Sequence, residues 1–174
     1  MVTLGAASDE LGITRTAMVD LIKLGFVDSD QAGSRYEIPA EEVARLKAIP
    51  YAEGDLPPAL VVCVTPATPD EDPSNHRKQA GWDPQIEDPY DQVQLDGVRQ
   101  WWPVRHPDQV EVVVVTNHGW IVHAYEVAGE PTQHTSRARW SFPVVAEETP
   151  KARAYLCHRL EPKPGPIAYP LWPL

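Results

Sequence analysis

Four side chains early in the chain are of a type and spacing that hold phosphate and read base edges. Thr14, Arg15 and Thr16 are consecutive, and Arg35 follows one short segment later. A threonine hydroxyl at a helix start can hold a phosphate oxygen, and an arginine fork matches a phosphate or a guanine edge. A plain solvated arginine is the alternative for Arg15. A second set lies further on: Arg99, Trp101, Trp102, Trp120, Tyr125 and Trp140. Aromatic faces stack on a flipped base, and an arginine among them binds phosphate or a base edge. The same aromatics equally suit the core of a small β-domain, with Arg99 making a cation–π contact.

Catalytic groupings are not evident. His76, His106, His118, His123, His134 and His158 fall in no His-Glu-x-x-His or Cys/His spacing. His123 to Glu126 lacks the His-x-Glu spacing and cysteine partners of zinc deaminases. There is no Walker loop and no Gly-x-Gly-x-x-Gly. The expectation is a protein that is not an enzyme, with no catalytic residue, metal site or cofactor. Cys63 and Cys157 sit in apolar, strand-like segments and read as buried free thiols, too far apart in sequence for a zinc-ligand pair.

The first set needs helices to position it. Thr3 can cap a helix over residues 3–11, Gly12 supplies a sharp turn, and Thr14 can cap a second helix. Ala17, Met18, Leu21 and Ile22 recur at helical spacing, and Gly25 ends that helix. Phe26-Val27 reads as the start of a strand, residues 28–33 as a polar loop and residues 34–38 as a strand by alternation. Pro39 opens a third helix at its first position, with Glu41 and Glu42 in the favoured first turn and Val43 and Leu46 facing inward. Arg35 then stands at the tip of a wing.

Ala6-Ala7, Leu11-Gly12-Ile13-Thr14-Arg15-Thr16, Leu21-Ile22, Leu24-Gly25, Gly33-Ser34-Arg35-Tyr36 and Ile38-Pro39 together resemble the winged helix-turn-helix of MerR and excisionase-type regulators. The resemblance covers residues 3–47. It implies double-stranded DNA as partner, held through Thr14, Arg15, Thr16 and Arg35. No long coiled-coil helix follows, so excisionase-like use or a role as a fused adaptor fits better than a MerR dimer.

Residues 51–58 mix proline, glycine and acid and read as a linker between a module at 1–50 and a β-rich domain at 59–160. Within that domain, residues 59–64 are a short buried strand. Residues 65–92 are a long irregular loop whose basic spot, His76, Arg77 and Lys78, reads chiefly as a solvated patch. Residues 95–102 are a short helix or turn. Residues 109–116 and 120–127 form a hairpin about Asn117-His118-Gly119, and residues 139–145 and 154–160 are further strands. A small barrel would close such edges. Leu95-Asp96-Gly97-Val98-Arg99-Gln100-Trp101-Trp102, then the hairpin, then Arg139-Trp140-Ser141-Phe142, are similar in order to small PUA-like barrels of the EVE and ASCH type. That similarity implies a base pocket built from the second set of residues. The expected fold class is α+β: a winged helix-turn-helix followed by a β-rich, barrel-like domain with few helices.

Charge sets a condition on this reading. The chain has 174 residues, 19 of them proline, and a formal net charge of −10. Even in the first fifty residues Arg15, Lys23, Arg35, Arg45 and Lys47 are outnumbered by acids. Phosphate binding needs local cations, so a dimer, the second domain or a protein partner would have to assist. The proline-rich tail, residues 161–174, ends in Tyr169, Leu171 and Trp172. These either fold back or dock on a partner, including a second copy to give a homodimer. No apolar run reaches membrane-spanning length and no signal peptide is evident, so a cytoplasmic protein is expected. The competing expectations are a phage or defence-system interaction module using its acidic surface and tail, and a nucleic-acid enzyme assembled from distant residues.

Overall fold

The computed structural model describes residues 1–33, 35–163 and 167–171. It is a mixed α+β chain whose described residues form two packed units.

The first unit runs β1 (Val2–Thr3), α1 (Leu4–Leu11), α2 (Arg15–Lys23), β2 (Asp30–Ala32), β3 (Arg35–Ile38) and α3 (Ala40–Ala48). Both threonines cap as their positions demand: Thr3 Oγ1 accepts from the Ala6 N–H at 3.3 Å, and Thr14 Oγ1 from the Ala17 N–H at 3.1 Å. Gly12 closes α1 at φ 68°, in the left-handed region that costs glycine nothing. The strands form an antiparallel sheet in the order β1-β3-β2. Ala7, Met18, Leu21, Val27, Ile38, Val43 and Leu46 make its core. Two local expectations are corrected. Phe26-Val27 is a bend, because Val27 turns into the core while Phe26 lies under the Arg45 guanidinium at 5.4 Å. Pro39 is the cap preceding α3 and not its first helical residue.

The second unit begins with β4 (Ala59–Cys63), the short hairpin β5 (Thr68–Pro69) and β6 (Gln79–Ala80), and α4 (Gln92–Val98). It continues through β7 (Val112–Asn117), β8 (Trp120–Glu126), β9 (Thr132–Gln133), β10 (Trp140–Ser141), α5 (Pro150–Arg153) and β11 (Ala168–Leu171). Its main sheet has the order β11-β4-β7-β8, with β4 and β7 parallel and the outer pairs antiparallel. The valine run of β7 is continuous because both faces are covered. Val112 and Val114 join Ala59, Val61, Ala152, Tyr155 and Tyr169 on one side. Val113 and Val115 join Leu60, Val62, Leu95, Val98, Tyr125 and Phe142 on the other.

None of the sheets described closes into a barrel, contrary to the expected architecture. One of the required strands does not form and another is cut short. Residues 154–157 are a turn following α5, and of residues 139–145 only Trp140–Ser141 is strand. Phe142, fully buried, plugs the core instead of alternating along an edge. The tail answers the choice left open for it in part: Ala168–Leu171 folds back as the edge strand on β4, with Tyr169 buried. Pro170 suits an edge, where a missing N–H breaks no ladder. Trp172 lies outside the described residues. No helix among the described residues is long and apolar enough to cross a membrane.

Candidate nucleic-acid interface

The turn between α1 and α2 presents Thr14, Arg15 and Thr16, all three exposed. Thr14 spends its oxygen as the helix cap, leaving its hydroxyl hydrogen free to donate. Arg15 folds back across α1: a Cβ placed on Gly5 would come within 3.0 Å of its Nη2. Arg35 is the first residue of β3, opposite Ala32, at the open end of the β2–β3 pair. Alternation puts it on the same face as Glu37, which stands directly across from Asp30. The β2–β3 hairpin therefore carries its cation at the open end and its acids at the base.

Ion pairing sorts the remaining charges of this unit. Glu42 holds Arg45 at 2.8 Å, and Glu10 holds Lys47 at 3.1 Å. The Arg45 hydrogen bond keeps the Glu42 carboxyl below its ordinary range. Arg15, Lys23 and Arg35 pair with no carboxylate among the described residues. The cations left over are thus at the start of α2, at the end of α2 and at the open end of the β2–β3 pair.

The far end of α2 meets the second unit. Asp20 lies 3.6 Å from His118 at the tip of the β7–β8 hairpin, and a Cβ on Gly25 would strike Pro84 at 2.8 Å. Lys23 lines a groove between the units together with Lys78 and Asp83. The start of α2 is left open while its end is docked.

The expected base pocket is corrected in most of its members. Trp120 is 3% exposed and packs into the core of the first unit, joining the hairpin tip to it. Tyr125 is buried, donates to the Pro89 carbonyl at 2.7 Å, and has its phenol pushed far up by burial. Trp140 packs with the core over α4 and pairs through its backbone with Trp102. Arg99 is held by Asp96 at 2.7 Å. Trp101 and Trp102 do meet, in a cavity of about 250 Å³ that also receives Arg77, Gln100 and Arg139. Those last three were not singled out as pocket residues, since they are brought together from three separate loops. Arg77 itself is half-spent, bonding Asp70 and the Gln100 carbonyl. The thiols are also corrected: Cys63 is partly exposed at that cavity, and Cys157 is exposed on a turn.

No protein-family model, curated protein or solved structure matches the chain.

Proposed function

We propose that the chain is a DNA-binding protein. Residues 1–48 act as a winged helix-turn-helix, and the second unit serves as the platform that fixes the orientation of α2. Arg15 reaches a phosphate or a guanine edge, Thr14 and Thr16 hold phosphate oxygens beside the start of α2, and Arg35 contacts backbone from the wing. One observation carries this reading. In a unit rich in acid, Arg15 and Arg35 have no carboxylate partner among the described residues and stand where a duplex lying along the start of α2 and the wing would meet them, while Arg45 and Lys47 are neutralised by Glu42 and Glu10 and Lys23 lies in the groove against the second unit. A partially docked α2 fits the same picture, because recognition in such modules uses the first turns of the helix.

Electrophoretic mobility shift with genomic fragments tests the proposal. The wild-type chain is expected to retard duplex DNA, and Arg15→Ala with Arg35→Ala to abolish most of that shift at equal protein. Identical shifts for the two proteins would remove the groove assignment.

A further inference from the structure

The cavity holding Trp101 and Trp102 lies just past the carboxyl end of β4, bordered by Cys63, Val64 and Thr65. Crevices outside the carboxyl ends of parallel strands are the ordinary location of ligand sites in open α/β sheets. Here β4 and β7 are the parallel pair, and the segment joining them folds over to form part of the cavity's wall.

Three features of the lining specify a ligand. Trp101 and Trp102 supply aromatic surface. The Trp101 ring is braced edge-on by His134 at 4.9 Å and tethered through Nε1 to the Asn75 carbonyl at 3.0 Å. Gln100 is 5% exposed and lines the cavity. A primary amide at that position offers both a donor and an acceptor to a ring edge. Arg139 is the cation of the lining that remains open. Neighbouring Arg77, Arg99 and Arg137 are taken by Asp70, Asp96 and Asp72, whereas Arg139 pairs with no carboxylate among the described residues.

We infer that this cavity binds a nucleotide: a planar base against the tryptophans, its edge read by Gln100, its phosphate on Arg139. The phosphate can belong to a free mononucleotide or to a single-stranded chain. The site is separate from the start of α2 and the wing, and it does not rest on duplex binding.

The full-length chain is titrated with nucleoside 5′-monophosphates, with a single-stranded oligothymidylate lacking terminal phosphates, and with inorganic phosphate, following tryptophan fluorescence. Saturable quenching by a mononucleotide or by the oligonucleotide is expected. The tighter of the two identifies the source of the phosphate. Arg139→Ala, a partly exposed position, is expected to weaken that binding about tenfold, the size of one lost charge-assisted hydrogen bond. No saturable binding at millimolar ligand overturns the proposal. So does unchanged affinity in Arg139→Ala, or inorganic phosphate competing as well as the nucleotide. Because no duplex is among the probes, failure here and failure of the duplex reading are separate results.

Discussion

His123 shows how a single buried group sets a response of the whole chain. Its ring lies 4.6 Å from Tyr125 and 5.5 Å from Tyr90. Burial among these rings lowers its pKa from 6.5 to about 4. The fold therefore keeps His123 neutral where the unfolded chain takes up a proton. Stability contributed by the neutral ring is complete above about pH 6.5 and is lost as pH falls toward 4, on the order of 3 kcal/mol in total. Urea denaturation at pH 7 and pH 4.5 is expected to show a marked loss for wild type and a smaller one for His123→Phe. An equal loss in both proteins would assign the acid sensitivity to the carboxylates. At the same scale, the cap at Thr14 and the exposure of Arg15, Thr16 and Arg35 were legible in the sequence because capping and exposure are local properties. The surroundings of Trp120 and Arg139 were not, because each depends on which distant segment arrives beside it.

Close backbone approach governs the elements. Gly97 lies in α4, and a Cβ there would stand 2.7 Å from the Gly81 carbonyl on the loop after β6. Gly97→Ala is expected to cost about 1–3 kcal/mol, since neither backbone can yield cheaply. Gly5→Ala in α1 provides the contrast. Its Cβ meets only the flexible end of Arg15, so thermal melting should show no loss, or a gain of up to about 1 kcal/mol from helix propensity. Similar melting temperatures for the two variants would contradict the packing described. The three helices of the first unit and the β7–β8 hairpin were readable from the sequence, since caps, apolar spacing and an Asn-His-Gly turn are short-range signals. The strands expected at 139–145 and 154–160 were not, because an apolar run can fill a core without pairing. Phe142 and Tyr155 do so here.

In the molecule as a whole, Trp120 joins what the sequence divides into two domains. It belongs to β8 yet packs within the core of the first unit. Trp120→Ala is expected to destabilise the chain by about 3–5 kcal/mol and to split one calorimetric transition into two, while Trp120→Phe retains a single one. A single unshifted transition in Trp120→Ala would show that Trp120 is not what couples the two units. Held in this way, α2 presents its first turn outward and its last turn to the hairpin, and Arg15 and Arg35 face solvent on an otherwise acidic protein. Duplex binding through so few cations should depend on salt with a shallow slope that those two residues dominate. The most direct measurement is fluorescence anisotropy of a labelled duplex across a salt series, comparing wild type with the Arg15→Ala, Arg35→Ala double variant. The expected result is weaker binding with the slope of log K against log salt reduced by about two. Equal affinity and equal slope for both proteins would contradict the assignment of this face to DNA.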